Sequence, residues 1–220
     1  MTTTIKKRAR DESSKLARKE TILEAALSLF QGGSLLPKVD EIALKAGLAK
    51  GTVYLYFDSR EEIYLHLVTM HVTAYWENLE AHLRAETSLT PEELARWILD
   101  YHDTHPHYLP MASILNHILE ENAGLSETVN FKHLHAQKLG ECGKLLDMTV
   151  AGLPAGEGVH LLLALNALMV GLWERANPTR AVRDLLELLE LKSLQINFSK
   201  EAERSVFALC KGYSTIAANP

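Results

Sequence analysis

The sequence predicts an all-α protein, because apolar residues recur at helical spacing along almost its whole length. No segment alternates apolar and polar residues in the way that a half-buried strand does. Glycine, proline and capping residues divide the chain into separate helices. Hydrophobic residues make up 47% of the 220, which is ample for a core. The two cysteines, Cys142 and Cys210, lie far apart, so we expect neither a disulfide framework nor a cysteine-rich zinc site.

The first two helices are predicted from their apolar stripes and from the breaks that end them. The first runs from about Ser14 to Phe30, after polar residues 1–12 that indicate a frayed terminus. The second has apolar residues at i, i+3, i+4 and i+7, namely Val39, Ile42, Ala43 and Ala46. Gly47 follows, where a helix commonly ends with a positive φ that glycine adopts at little cost.

A third, short helix opens at Lys50 and places unusual residues on its outer side. Val53 and Phe57 lie four apart on the inner side. The residues left to face outward are Thr52, Tyr54, Leu55 and Tyr56. Such a display beside a lysine suits contacts with phosphates and base edges, whereas two ordinary core helices of an enzyme domain would not require it. The pair of helices therefore predicts a helix-turn-helix at about residues 38–57.

This segment resembles the TetR family of transcriptional regulators, whose pattern is V-x-x-I-A-x-x-A-G-x-x-x-G-T-x-Y-x-Y/H-F-x-S/T-K-E-x-L. The matching residues are Val39, Ile42, Ala43, Ala46, Gly47, Gly51, Thr52, Tyr54, Tyr56, Phe57, Ser59, Glu61 or Glu62, and Ile63. Lys38 departs from the pattern, because the family usually has a Ser or Thr N-cap there. That loss typically costs ~1 kcal/mol unless another group satisfies the helix end. Arg60 replaces the usual lysine and keeps its positive charge.

The resemblance implies a ligand-responsive repressor that binds a palindromic operator as a homodimer and is released by a small-molecule effector. It implies a DNA-binding domain at residues 1–58 and an effector-binding and dimerisation domain at residues 59–220. By motif position, the operator contacts are expected at Lys38, Lys50, Thr52, Tyr54, Leu55, Tyr56 and Arg60. Such a regulator is not an enzyme, requires no cofactor and acts in the cytoplasm.

The charge distribution is typical of a DNA-binding head joined to a body that binds something else. Residues 1–60 hold 11 Lys and Arg against 7 Asp and Glu, a balance of +4. The remaining residues hold 12 against 21, a balance of −9. A basic cluster near the N-terminus leaves open a second interpretation of residues 1–12, as a mobile arm that reaches DNA: Lys6, Lys7, Arg8 and Arg10.

The body is predicted to consist of further helices. Ser59 and Glu62 form a capping box that starts a fourth helix, which continues to about Glu86. Thr90 and the following proline start a fifth helix, which continues to about His105. The remaining helices are expected at residues 111–122, 126–151, 159–176, 182–189 and 199–217.

Two sets of body residues are candidates for binding. The resemblance implies an effector pocket, and such pockets combine aromatic with polar side chains. The candidates for that pocket are Tyr75, Trp97, Tyr101, Asn116, His117, Phe131 and Trp173. The helix at 159–176 is apolar on nearly every side, so it is either the central helix of a monomer or part of a two-fold interface. We expect the interface, at Leu162, Leu163, Asn166, Val170, Ala202, Val206 and Leu209.

Two rival functions remain open at this point. One is a metal-responsive regulator, because His102, His105 and His107 lie close together near a predicted helix end. The other is a helical enzyme or scaffold, although the sequence has no nucleophile elbow, Walker loop or zinc-protease motif. The apolar run at 161–173 is too short to span a bilayer, and no apolar segment follows the basic N-terminus, so we expect neither a membrane span nor a signal peptide.

Overall fold

A computed structural model of the chain describes residues 2–30, 36–115 and 124–216. Its first helices are α1 Thr2–Leu29, α2 Val39–Lys45, α3 Lys50–Val53, α4 Arg60–Ala85, α5 Pro91–Thr104 and α6 Tyr108–Ser113. These are followed by α7 Leu125–Thr149, α8 Glu157–Ala176, α9 Arg180–Leu188, a 3-10 turn Lys192–Leu194 and α10 Phe198–Tyr213. The described residues include one isolated bridge between Leu89 and Val150 and no strand, so the all-α prediction is confirmed.

Two helix boundaries differ from the prediction. Helix α1 begins at Thr2, twelve residues before the predicted start at Ser14. Residues 2–12 contain no helix breaker and several strong helix formers, so propensity extends α1 where no apolar stripe marks it. Helix α6 begins at Tyr108 and tolerates Pro110 in its first turn, where the missing N–H is not needed. The rest of the helix predicted at 111–122 lies mostly outside the described residues.

The head packs α1, α2 and α3 around a small core that also includes the start of α4. Its fully buried side chains include Ile22, Ala26, Ile42, Val53 and Phe57. Tyr64 of α4 joins this core, with its ring 5.6 Å from that of Phe30. The Tyr64 hydroxyl donates to the Ala26 carbonyl at 3.1 Å. Helix α4 therefore starts inside the head and continues into the body, so a movement of α4 moves the head with it.

The body is built around the crossing of α7 and α8. A Cβ atom at Gly143 of α7 would lie 2.5 Å from Val159 Cγ2 and 2.9 Å from Val159 N, so the helices can approach this closely only with glycine there. Asp147 then caps α8, because its carboxylate accepts the N–H groups of Gly156 at 2.8 Å and Gly158 at 2.7 Å. Helix α4 packs against α7, and α10 packs against both α5 and α8.

Helix α8 is, among the described helices, the one that is long and apolar enough to cross a membrane by length and composition alone. A core helix can pass the same test. Within the chain α8 packs against α6, α7 and α10, yet only 22% of its apolar window is buried there. Much of its apolar surface therefore remains uncovered by the chain itself.

Candidate DNA-binding surface and effector site

The turn between α2 and α3 has the geometry that the motif requires. Val39 and Ile42 of α2 are buried, and α2 ends at Gly47 with a φ of +69°. That left-handed conformation turns the chain so that the N–H of Leu48 bonds to the carbonyl of Ala43 at 2.9 Å. Val53 of α3 then packs into the same head core as α2. The two short helices are thus held rigidly against each other.

Lys38 does not leave the start of α2 without a capping group. The carboxylate of Glu41 reaches back and accepts the Lys38 N–H at 2.7 Å. This is the half of a capping box that the acidic third residue supplies. The departure from the family pattern at Lys38 is therefore compensated locally, and the lysine side chain is not required for the fold.

The predicted contact residues of α3 and its C-terminal turn differ in how far they project. Leu55 is 81% exposed and Tyr54 is 46% exposed, as expected for residues that meet another molecule. Thr52 is half-buried. Tyr56 is also half-buried and packs against the head core, so it faces outward only in part.

Four of the predicted contact residues line one shallow depression of about 400 Å³, which we call the operator surface: Lys38, Lys50, Tyr54 and Arg60. The carboxylates of Asp40, Asp58 and Glu61 line it as well. Thr52, Leu55 and Tyr56 lie outside it. Lys50 pairs with Asp40 at 2.8 Å, and this carboxylate raises the pKa of the lysine. The Arg60 guanidinium bonds to Glu61 at 2.7 Å and to the Leu36 carbonyl at 3.3 Å. Neighbouring groups thus orient both Lys50 and Arg60, and 54% of the Lys50 side chain is exposed to solvent.

Three predicted effector-pocket residues form a packed aromatic cluster instead of lining an open pocket. The ring of Tyr75 lies 5.1 Å from Tyr101, 6.1 Å from Trp97 and 4.8 Å from Tyr108. The cavity beside this cluster measures only about 10 Å³. The pKa of Tyr75 is raised far above its usual value, mainly by burial, so its hydroxyl stays protonated. The aromatic cluster is therefore closed in this conformation.

Phe131, a fourth candidate, lies apart from that cluster and lines a larger opening. We call this opening the joint cleft; it measures about 440 Å³, and its lining residues are Lys19, Glu62, Leu65, His66, Thr69, Glu127, Asn130, Phe131 and Leu134. It is bounded by α1 of the head and by α4 and α7 of the body. Trp173 lies near the end of α8 and makes no aromatic contact with the cluster in the part of the chain described. Asn116 and His117 lie outside the described residues.

A chain of rings links the joint cleft to the aromatic cluster. Phe131 stacks on His135 at 5.8 Å, and the Trp76 indole N–H donates to His135 Nδ1 at 3.3 Å. Trp76 in turn contacts Tyr75 at 5.3 Å. A displacement of Phe131 in the cleft would therefore be transmitted to the aromatic cluster through direct side-chain contacts. The sequence identified Phe131 as a candidate but gave no indication that His135 and Trp76 connect it to Tyr75.

At the head end of the cleft, three side chains from separate segments meet. Lys19 Nζ lies 3.2 Å from His66 Nε2 and 5.1 Å from the centre of the Phe57 ring. Burial and the Lys19 charge lower the pKa of His66, so the imidazole is neutral at pH 7 and can accept from the ammonium. Sequence reasoning missed Lys19 and His66, because no short-range pattern links residues 47 positions apart.

The histidines at 102–107 are not arranged as a metal site. His102 is buried and stacked on Tyr75, while His105 stacks on Tyr101 at 3.9 Å and bonds to its carbonyl. Across the described residues, no three His, Cys, Asp or Glu side chains are grouped so that they could hold a metal ion. The metal-responsive alternative therefore has no support from this geometry.

The predicted dimer residues divide into two groups. Leu162, Ala202 and Val206 are buried between α8, α10 and the rest of the body, so placing them in an interface between protomers requires correction. Their apolar stripes pack against other helices of the same chain, α5, α7 and, between α8 and α10, each other. The periodicity of a stripe does not show whether the same chain or a second protomer covers it. Leu163, Asn166, Val170 and Leu209 retain exposed or half-exposed surface.

Similarity to known proteins covers both parts of the chain. Residues 22–67 match the family model of bacterial regulatory proteins of the tetR family, and residues 70–217 match that of tetracyclin repressor-like C-terminal domains. The chain is 33% identical over 75 residues to the fatty acid metabolism regulator protein of Bacillus subtilis (strain 168). That stretch is 34% of this chain and 38% of the relative, so the chain spans well under half of the relative's length.

Two solved structures share the fold. One is described as a TetR-family transcriptional regulator from Mesorhizobium loti MAFF303099; it has a TM-score of 0.57 and 17% identity, over 90% of this chain and 96% of that chain. The other is FadR from Bacillus subtilis in complex with stearoyl-CoA, with a TM-score of 0.55 and 18% identity over 88% of this chain and 98% of that one. At these identities the likeness concerns the fold alone.

Proposed function

The chain belongs to the tetR family of bacterial regulatory proteins, and we propose that it is a ligand-responsive repressor of transcription. A dimer binds a palindromic operator through the two heads, and a small molecule bound by the body releases it. The observation that carries this proposal is the helix-turn-helix itself. Its inner residues are buried in the head, and its outer residues form the operator surface beside the exposed Leu55.

The contact residues divide by the kind of DNA group that they suit. Lys38, Lys50 and Arg60 are cations and Tyr54 adds a hydroxyl, so these four suit phosphate oxygens, which would compete with Asp40 for Lys50 and with Glu61 for Arg60. Thr52 and the exposed Leu55 lie outside that surface and suit base edges and thymine methyl groups. Tyr56 offers less surface to DNA than Tyr54, because it packs partly on the head core.

The dimer interface is proposed on the uncovered faces of α8 and α10. Leu163, which is 47% exposed, lies on one stripe of α8 with Asn166 and Val170. Leu209 offers half-exposed surface on α10. Covering the apolar face of α8 with its two-fold mate would explain why so little of it is buried within one chain. Val170→Glu or Leu209→Glu should then shift the protein toward monomer, measured by sedimentation, because each places an unpaired charge in the seam.

The effector is proposed to be a fatty-acyl-CoA bound in the joint cleft. The proposal is supported by the Bacillus subtilis relatives, one named for fatty acid metabolism and one solved with stearoyl-CoA. The cleft has an apolar floor of Leu65 and Phe131, and the Lys19 ammonium at its rim offers a partner for an anionic group beside the carboxylates of Glu62 and Glu127. Because its walls come from both head and body, a ligand there would favour one head position over another.

Release of DNA follows if the acyl-CoA prefers the head position that does not fit the operator. A ligand with equal affinity for both positions would shift nothing, whatever its affinity. The two heads must reach half-sites roughly one helical turn, ~34 Å, apart. A tilt of α4 that alters this distance would therefore weaken binding to both half-sites together.

The test measures DNA binding with and without stearoyl-CoA. The wild-type protein should retard DNA flanking its own gene, and stearoyl-CoA should release that DNA. Asn130→Trp should abolish the release while leaving DNA binding intact, because Asn130 is exposed and lines the cleft. His133→Trp is the matched control on the same helix, exposed but outside the cleft. Release that is equal in all three proteins would exclude the joint cleft.

A further inference from the structure

One ring nitrogen on the wall of the joint cleft has two possible partners that require opposite protonation states. His66 Nε2 lies 3.2 Å from Lys19 Nζ and 3.9 Å from Glu62 Oε1. An ammonium group only donates hydrogen bonds, so the contact with Lys19 needs a lone pair on Nε2, which a neutral ring offers when its proton is on Nδ1. An ionised carboxylate only accepts, so a bond to Glu62 needs a proton on the same nitrogen. Because a charged imidazole carries protons on both nitrogens, protonation of His66 exchanges Lys19 for Glu62.

The two partners lie in different parts of the molecule. Lys19 is on α1 of the head, and its ammonium lies 5.1 Å from the centre of the Phe57 ring, which is buried just after α3. Glu62 lies one turn before His66 on α4, so a bond between these two stays within one helix. Of the two bonds, the one from Lys19 therefore joins the head to α4, and the one to Glu62 does not.

Charged groups of both signs face His66 from the surrounding helices. Within the described part of the chain these are Lys19 from α1, Glu62 from α4 and Glu127 from α7, while the Phe57 ring packs edge to face at 5.4 Å. Burial and the Lys19 charge lower the pKa of His66, and the two carboxylates oppose this with smaller effects. The His66 side chain is 35% exposed and lines the joint cleft, so protons reach it from solvent.

From this geometry we propose that protonation of His66 releases the head from α4 and thereby weakens DNA binding in acid. At neutral pH the bare Nε2 accepts from Lys19, whereas in acid it carries a proton, repels the ammonium and turns to Glu62. The joined arrangement binds one proton fewer than the released one, so lowering the pH favours release. The bond from the Tyr64 hydroxyl to the Ala26 carbonyl does not titrate in this range, so the head stays attached through one bond fewer.

Weaker DNA binding follows because the operator requires a particular head position. A head held by one bond fewer samples more positions, and the apparent affinity falls with the fraction that remains competent. No histidine precedes His66 in the chain, so the operator surface itself gains no histidine charge in acid. The effect on DNA rests on the proposed operator binding, and it adds a proton signal to the acyl-CoA response at the same cleft.

The first test follows the affinity of the full-length protein for DNA flanking its own gene from pH 7.5 to 5 at constant ionic strength. The wild-type affinity should fall, and in His66→Gln the fall should be smaller by about two- to tenfold, the worth of one hydrogen bond. The glutamine amide oxygen accepts from Lys19 at every pH and does not titrate. His133→Gln, which removes an exposed histidine of α7 outside the cleft, is the matched control and should follow the wild type. Identical pH profiles of the wild type and His66→Gln would overturn the proposal.

The second test examines the contact from the side of the lysine. Lys19→Met removes the ammonium and keeps an apolar chain over Phe57, so the pKa of His66 should rise, measured by NMR titration of the ring and assigned by comparison with His66→Gln. Its DNA affinity should also depend less on pH, because no bond to Lys19 remains to be lost. Lys132→Met, which removes an exposed cation of α7 outside the cleft, is the control. Unchanged titration of His66 in Lys19→Met would refute the contact.

A third measurement separates this proposal from the proposed operator binding, because it needs no DNA. The pKa of His66 is lower in the folded chain than in the unfolded chain, which takes up a proton near pH 6.5, so the contact stabilises the protein above that pH and the stability is lost in acid. Urea unfolding at pH 7.5 and 5 should therefore show a larger loss for the wild type than for His66→Gln. If this difference appears while no DNA is bound at either pH, operator binding is wrong and the pH-sensitive contact stands. Equal losses would contradict the contact, whatever the DNA result.

Discussion

Tyr64→Phe tests the joint between head and body with the removal of one oxygen atom. The Tyr64 hydroxyl donates to the carbonyl of Ala26 at 3.1 Å, and the tyrosine is fully buried. Ala26 lies in the last turn of α1, where carbonyls lack an intrahelical donor. The next possible donor, the Phe30 N–H, bonds to the Leu27 carbonyl instead. Burial raises the pKa of Tyr64, so the hydroxyl remains a donor at any pH at which the protein is studied.

The expected loss of stability arises because the mutation leaves the buried Ala26 carbonyl without a hydrogen-bond donor. A buried acceptor without its donor costs about 1–3 kcal/mol, more than the net worth of the hydrogen bond itself. For a protein of this size, each kcal/mol corresponds to about 2–4 °C in Tm. We therefore expect the Tm of Tyr64→Phe, measured by circular dichroism, to fall by between roughly 2 and 12 °C. The packing against Phe30 is retained, so no cavity contributes to the loss.

Tyr54→Phe is the matched control for this measurement. Tyr54 is exposed and makes no side-chain hydrogen bond within the described residues, so its loss of a hydroxyl should change stability by no more than about 0.5 kcal/mol. A Tm of Tyr64→Phe equal to that of the wild type and of the control would refute the reasoning. It would mean that the Ala26 carbonyl at the end of α1 finds a hydrogen-bond donor other than Tyr64 of α4.

Three further predictions concern the body and the operator surface. Gly143→Ala should lower the free energy of unfolding measured in urea, because its Cβ would meet Val159. Gly140→Ala, the control on the same helix, meets nothing within 4 Å and should raise that free energy by about 0.5–1 kcal/mol. Equal effects of the two substitutions would mean that the crossing of α7 and α8 adjusts. Burial lowers the pKa of His102 to about 4, so between pH 6.5 and 4 the unfolded chain binds a proton that the folded chain does not. The free energy of unfolding should therefore decrease as the pH is lowered from 6.5 to 4. Urea unfolding at pH 7.5 and 5 should show a smaller fall for His102→Phe, and an identical fall would contradict the burial of a neutral imidazole. Asp40→Asn should strengthen DNA binding and steepen its salt dependence by about one counterion, measured by fluorescence anisotropy, because Lys50 loses its partner; weaker binding would show that Asp40 positions Lys50 for DNA.

The sequence was sufficient where a local pattern determines local structure. Gly47 ends α2 with a positive φ as predicted, and Ser59 and Thr90 cap α4 and α5 through hydrogen bonds to the third residue of each helix. Each of these interactions spans three or four residues, so the pattern contains both partners. The same reasoning located the short α3 and its buried Val53.

The sequence was insufficient where the partner lies far along the chain. An apolar stripe predicts that a helix face is covered, but it does not identify what covers it. For this reason the predicted dimer interface includes Val206, which is fully buried within its own chain, as well as Leu163, which is 47% exposed. The closed aromatic cluster and the joint cleft likewise depend on side chains brought together from separate helices.

The central claim is that this chain binds a specific DNA site through α3 and releases it on binding an acyl-CoA. It is tested most directly by sequencing the DNA that the purified protein captures, and then measuring its affinity for the enriched site by anisotropy. The captured DNA should share a palindromic site. Thr52→Ala should relax its discrimination by about 1–3 kcal/mol if Thr52 contacts a base. Tyr54→Ala should weaken binding to all sequences about equally, and stearoyl-CoA should release the wild-type protein. Capture of no enriched sequence, or unchanged affinity in both variants, would contradict it.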